Sequence, residues 1–226
     1  MALTFDDGYS GFDRQALPAL LEYRFPATVY LTTYYSQLNR PVFNLMSSYI
    51  LWKARARKLE WHEVLGGAVT LNAAGRATTM STLKSFARRQ CLSGIEKDDM
   101  LAELARRLDI DYEALCQRRI LHLMTPEELK GASRAGVDIQ LHTHRHRIPR
   151  SRDEFFHEIN DNRRGIGQFT SNWPVHFSYP SGVYQSYMLD WLEEAKVRSA
   201  ATCESGLASI RTNQMRLPRL TDSARI

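Results

Sequence analysis

The chain has 226 residues, 43% of them hydrophobic and 24% charged, with a net charge of +5 and a pI of about 9.2, which is the balance of a globular protein with apolar material for a sizeable core. Its basic residues are scattered as pairs (Arg88-Arg89, Arg106-Arg107, Arg118-Arg119, Arg163-Arg164) rather than gathered in a run with interleaved aromatics, so the charge argues against nucleic acid and for no more than a peripheral membrane or anionic-substrate contact. No apolar run approaches the ~20 residues of a membrane span, no signal peptide is visible, and Cys91, Cys116 and Cys203 have no CxxC spacing and read as free thiols. This leans toward a reducing, cytoplasmic setting, but the first motif comes within six residues of Met1, a leader or anchor could precede it, and localisation stays open.

In chain order, "MALTF" reads as a buried strand ending at Asp6. "DRQALPALLEYRF" follows with apolar residues at helical period. "ATVYLTTYY" is β-branched and aromatic and predicts a second strand, so the opening is a βαβ unit of a parallel sheet. From about Ser36 to Leu121 the chain is mostly helical in character. "SSYILWKARARKL" and "KDDMLAELARRLDI" are amphipathic, and Gly66-Gly67 with "TLNAAGRATT" interrupts them as a small hairpin. This stretch is expected to be a helical insertion. Alternation then resumes. "MTPEELKGASRAG" carries an N-cap at Thr125, Pro126 in the first turn and Glu128 to complete a capping box. "VDIQLH" is a strand, "RDEFFHEINDNRRGIGQF" a helix, "VHFSYP" a strand, "SYMLDWLEEAKV" a helix and "SAATC" a short strand.

Two features carry chemistry. Strand "VDIQLH" runs into "HTHRH", which puts three of the seven histidines, His142, His144 and His146, within five residues. Histidine is the commonest protein metal ligand, and the i, i+4 pair His142 and His146 can face one ion across a turn, with His144 outside it. A catalytic zinc site takes three protein ligands and leaves one position open. The doubled carboxylate Asp6-Asp7 supplies the third ligand and leaves one group to accept the proton of an attacking water. Gly8 allows the tight turn that aims both into one site. Spacing alone does not say which aspartate does which.

"TFDDG", then "HTHRH" after a strand, then "FSYPSG", resemble the motifs of the polysaccharide deacetylases, the NodB-homology or carbohydrate esterase family 4 proteins. The likeness extends to "LPRL" and covers roughly residues 1–35 and 122–220. It implies a distorted (β/α) barrel with fewer than eight strands, here a single domain over residues 1–226 carrying the insertion at about 36–121, and an active site at the strand C-termini. It also implies Asp6 as general base, Asp7, His142 and His146 as ligands of one divalent ion, most simply Zn2+, and a "SYPSG" wall of the acyl pocket. In that wall the N–H of Ser181 would be an oxyanion donor, and Tyr179 and Pro180 would touch substrate. The expected activity is removal of an N-acetyl group from an amino sugar of a polysaccharide or glycan precursor. The alternatives are deacylation, such as deformylation, of a lipid- or nucleotide-linked sugar, or glycan binding by a catalytically weak chain.

Two departures from the family pattern bear on mechanism. Many members carry an arginine where Ser178 stands, and it orients the base. Many also have a late Leu-x-His histidine as general acid, whereas no histidine follows His176 here. Of the remaining histidines, His62, His122, His144, His157 and His176, none is well placed. Protonated Asp6 is therefore expected to return its proton to the leaving amine, unless the acid lies beyond Ile226.

Overall fold

The computed structural model describes residues 2–221. β1 (Leu3–Asp7) leads through a wide helical turn at Phe12–Ala16 into α1 (Leu17–Glu22), then β2 (Ala27–Leu31). The second strand stops at Leu31, and Thr33–Leu38 forms helix α2 instead of continuing the strand. The reason is tertiary. The Thr32 hydroxyl donates to His144 O at 3.0 Å and Tyr34 N–H donates to the same carbonyl at 2.9 Å, so the backbone turns toward that loop despite the strand propensity of "TTYY".

The insertion comprises α3 (Phe43–Lys53), β3 (Lys58–Trp61), α4 (His62–Leu65), β4 (Gly67–Thr70), α5 (Ala73–Arg89), α6 (Gly94–Arg107) and α7 (Tyr112–Gln117). The hairpin is β3 against antiparallel β4, so it begins earlier than expected. "NAAGRATT" belongs to a helix, because the Asn72 side chain caps α5 by accepting from Gly75 N–H at 2.8 Å. Residues Leu38–Leu123 form a compact unit of their own. Its core is Met46, Ile50, Leu59, Leu71, Leu83, Leu101 and Leu104.

The other unit joins the segments up to Gln37 and from Met124 onward. The second segment supplies α8 (Pro126–Arg134), β5 (Asp138–Leu141), α9 (Arg152–Ile166), β6 (His176–Ser178), α10 (Tyr187–Glu194) and β7 (Ser199–Ala201). The capping box of α8 forms as the sequence predicts: Glu128 N–H donates to Thr125 Oγ1 at 3.2 Å, and Thr125 N–H to Glu128 Oε2 at 2.8 Å. The sheet order is β1-β2-β5-β6-β7, and every pair is parallel. Val29, Leu31, Ile139, Leu141, Phe155, Ile159 and Phe177 fill its core. Burying each such side chain stabilises the fold by about 1.5–3 kcal/mol. After β7 the chain loops out and returns, so that Leu217 pairs in parallel with Ala201. Among the described residues no helix is long and apolar enough to cross a membrane.

A sheet of parallel strands has one end where all strand C-termini gather. Here that end carries Asp7, Leu31, Leu141, Ser178 and Ala201. The motif residues sit at or just past these positions, which is how segments far apart in sequence reach one place.

Candidate active site

The turn after β1 explains the glycine. Asp7 has φ 68° and Gly8 φ 86°, both left-handed. A Cβ on Gly8 would stand 2.5 Å from Leu31 Cδ1. Gly8 is therefore required twice, by its dihedral and by its contact with the core. The turn leaves the Asp6 and Asp7 carboxylates side by side at the strand end.

The second turn follows β5. His142 is the first residue past that strand and is 1% exposed. Its backbone N–H donates to Asn162 Oδ1 at 2.9 Å, and its ring Nδ1 donates to the Ser178 carbonyl at 2.7 Å. A carbonyl can only accept, so in the neutral imidazole the proton is on Nδ1 and the Nε2 lone pair is free. That Nε2 lies 3.3 Å from Asp7 Oδ1. Thr143 (φ 60°) and His146 (φ 52°) curl the loop back, bringing His146 Nε2 to 3.2 Å from the same oxygen.

Asp7 Oδ1 is buried and has no hydrogen-bond partner. It faces ring nitrogens at spacings of 3.2 and 3.3 Å. Lone pairs converging on an empty point repel, and a cation between them reverses the sign. Ligands ~2.0–2.1 Å from a tetrahedral zinc ion stand about 3.3 Å from one another. The donor set therefore fits a divalent ion. It is the one group of three or more acidic, histidine or cysteine side chains among the described residues that could hold a metal. His146 and Asp7 keep 28% and 19% exposure, so the group opens to solvent on one side. Burial alone would raise the Asp7 carboxyl, but the two imidazoles beside it outweigh burial, and the group sits below the ordinary carboxylate range. Burial lowers the His146 imidazole, with Asp7 only partly opposing. Both shifts favour the unprotonated forms that bind metal.

Asp6 is held from elsewhere. Arg219 donates to both of its oxygens, Nη1 to Oδ1 at 2.8 Å and Nη2 to Oδ2 at 2.7 Å. The Ser178 hydroxyl donates to Oδ2 at 3.2 Å and accepts from Arg219 Nη2 at 3.0 Å. Arg219 Nε in turn donates to Thr202 O at 2.9 Å. Burial pushes the Asp6 carboxyl up, yet the Arg219 hydrogen bonds and charge, with the Ser178 hydroxyl, bring it below the usual range. The sequence reading noted "LPRL" but gave Arg219 no role. It does for Asp6 what the expected arginine at position 178 would do, and the small Ser178 leaves the space for it.

The other expected positions separate. Ser181 is exposed, with φ 57°, on a single turn of 3-10 helix at Pro180–Gly182. Its N–H lies in the first turn, where helical N–H groups have no intrahelical partner. Tyr179 does not offer a face to a sugar. It is 0% exposed, its hydroxyl donates to Met215 O at 3.0 Å, and its ring packs on Phe177 and Tyr184. Strand alternation turns it into the core, and Pro180 is buried beside it. Neither is retained as a substrate contact. His144 bonds Thr33 Oγ1 through Nδ1 at 2.8 Å and stays outside the cluster, as expected.

A sequence model of the polysaccharide deacetylases matches residues 1–59 and 71–200. The chain belongs to the polysaccharide deacetylase family. The match runs through most of the insertion, omitting residues 60–70 around the hairpin, and it stops at residue 200, before "LPRL"; the likeness is thus wider than the motifs indicated in the insertion and shorter at the C-terminal end. No curated protein matches. Among solved structures, the chain resembles the Streptococcus pyogenes deacetylase PplD, solved in complex with acetate. The TM-score is 0.56 and the identity 17%, over 96% of this chain and 62% of that one. It also resembles the BpsB deacetylase domain from Bordetella bronchiseptica (0.55, 14%, 96% and 69%) and IcaB from Ammonifex degensii (0.53, 12%, 98% and 66%). The chain thus spans roughly two thirds of these structures. At such identities they establish the distorted (β/α) barrel of this chain and nothing finer.

Proposed function

We propose that this polysaccharide deacetylase is a metal-dependent hydrolase that removes an N-acetyl group from an amino sugar of a polysaccharide or glycan precursor. The observation that carries this reading is the convergence of Asp7 Oδ1 with the Nε2 atoms of His142 and His146, beside a second carboxylate that is not part of that set. A bound divalent ion, zinc in the first instance, would polarise the amide carbonyl and acidify a water. Asp6 then accepts the proton as water attacks. Its salt bridge to Arg219 keeps it ionised and aimed. The same bridge makes protonated Asp6 a strong acid, so it readily gives the proton to the leaving nitrogen. A separate late histidine is then unnecessary. The Ser181 N–H is assigned to the developing oxyanion, an interaction worth roughly 3 kcal/mol where such donors have been removed.

The test is acetate release from N-acetylglucosamine oligomers by zinc-loaded wild type and by Asp6→Asn. Release by wild type alone supports the reading. Release by neither, with formate freed from an N-formylated sugar, would redirect it to a deformylase. Glycan binding without any hydrolysis would make the chain a binding protein.

A further inference from the structure

Helix α9 sends two polar side chains, one turn apart, into the region behind the histidine loop. Asn162 and Glu158 are both 0% exposed. Asn162 donates through Nδ2 to Leu31 O at 2.9 Å and Thr33 Oγ1 at 3.2 Å, while its Oδ1 accepts from His142 N–H. It ties the ends of β2 and β5 together. The helix comes close enough because Gly165, one turn further, packs on Thr33, where a Cβ would meet Thr33 Cβ at 2.8 Å.

Glu158 is the less expected of the two. A fully buried carboxylate is costly unless its oxygens are bonded. Oε2 accepts from Arg145 N–H at 2.8 Å, and Oε1 accepts from Arg145 Nη1 at 3.0 Å and Arg147 Nε at 2.8 Å. These donors flank His146 on both sides. The loop they belong to contains Thr143 and His146 in the left-handed region, which side chains with a Cβ resist. Several bonds hold that shape: Asn162 on His142, Thr32, Thr33 and Tyr34 on His144, Thr143 Oγ1 on Arg147 N–H at 3.1 Å, and Glu158, which alone of these groups brings a charge to the residues on both sides of His146. Charge points the same way. Two guanidinium groups next to a metal ligand would repel a dication, and the buried carboxylate offsets them.

We propose that Glu158 is a positioning residue of the metal centre, fixing the His142–Arg147 loop so that His146 joins Asp7 and His142 and cancelling the two arginine charges beside the ion. This rests on the metal-dependent reading above. It predicts that Glu158→Gln, which keeps size but turns a donor toward Arg145 N–H, lowers zinc affinity tenfold to a hundredfold, the usual range for groups that orient metal ligands.

The measurement is zinc affinity by competition with a chromophoric chelator, on protein shown to be folded by circular dichroism. Glu158→Gln, Arg147→Met and the double variant are compared with wild type. Arg147→Met alone should cost less than Glu158→Gln. The double variant should lose less than the product of the two, because the second change removes a charge left unpaired by the first. A purely architectural role would lower thermal stability of the metal-free protein and leave zinc affinity unchanged, which would overturn the proposal. If Glu158→Gln fails to fold, Glu158→Asp decides, since it keeps the charge but shortens the reach to Arg145 and Arg147; wild-type affinity there overturns the proposal. If wild type itself binds no zinc, the metal reading fails and takes this one with it; wild-type binding matched by the variants sinks this one alone.

Discussion

Arg219 and Asp6 are 213 positions apart in the chain and share two hydrogen bonds of 2.8 and 2.7 Å, a bidentate fork between guanidinium and carboxylate. The contact exists because Leu217 returns to pair with the last strand, donating to Ala200 O at 2.8 Å and accepting from Thr202 N–H at 2.9 Å. Two residues on, Arg219 arrives at the strand-end face. If Asp6 is the base, Arg219→Met should lower kcat by ~100-fold or more, in line with the loss of a positioned acid–base group, while zinc content is retained. Removing the cation also removes the main force lowering the Asp6 carboxyl, so the acid limb of the pH–rate profile should move to higher pH. Arg219→Lys, a point charge in place of a fork, should recover only part of the rate. An unchanged rate in Arg219→Met would remove Asp6 from the mechanism.

For the metal ligands, elemental analysis after reconstitution should find roughly one divalent ion per chain. Asp7→Asn, His142→Ala and His146→Ala should each lose it, whereas Asp6→Asn should keep it. His142→Ala carries an added stability cost of ~1 kcal/mol from the lost bond to Ser178 O. Stoichiometric metal in the histidine variants would contradict the assignment.

His144 stands between the two ligand histidines, yet its Nδ1 is bonded to Thr33 and its carbonyl is taken by Thr32 and Tyr34. His144→Ala is expected to retain most activity at full metal content. A fall of ~100-fold would make it the acid that Asp6 is here taken to be.

Gly8→Ala should destabilise the fold by ~2–5 kcal/mol in chemical denaturation. It combines a left-handed dihedral that costs a Cβ residue about 1–2 kcal/mol with a forced overlap on Leu31 costing about 1–3 kcal/mol. A change below 0.5 kcal/mol would mean that the turn relaxes freely.

His122 gives the Leu38–Leu123 unit a pH dependence. It is 4% exposed, and burial holds its imidazole below the ordinary 6.5, with only partial opposition from the Ile120 carbonyl. The unfolded chain therefore binds a proton at higher pH than the folded one. The contribution is intact above about pH 6.5 and is lost as pH falls from there through the folded value. Denaturation midpoints should drop across that window in wild type and less so in His122→Gln. Identical slopes would show that another group governs the acid response.

The residues of the candidate site were legible because they fall into two local groups. "HTHRH" and "TFDDG" each place their donors within a few residues at the end of a strand, and strand ends of a parallel sheet converge. Capping at Thr125 and the alternation of strands and helices were legible for the same reason, since they depend on neighbours in the chain. The end of β2 was not. "TTYY" has strand propensity, but the His144 carbonyl, more than a hundred residues away, takes the Thr32 and Tyr34 donors and turns the chain into a helix. Tyr179 was expected to touch substrate beside its motif, and it is instead buried against Tyr184 with its hydroxyl on Met215 O.

The sequence by itself thus determined the alternation of strands and helices through periodicity, the two local groups Asp6-Asp7 and His142–His146 through spacing, and the family with its barrel through the likeness of three short motifs. The tertiary structure alone decided what holds those groups in place: Arg219 on Asp6, Asn162 on His142, and Glu158 on the arginines beside His146. Single side chains at long sequence separation carry no periodic signal. Their partners are selected by where the sheet and α9 bring the backbone, and by the requirement that buried charges and amides be bonded.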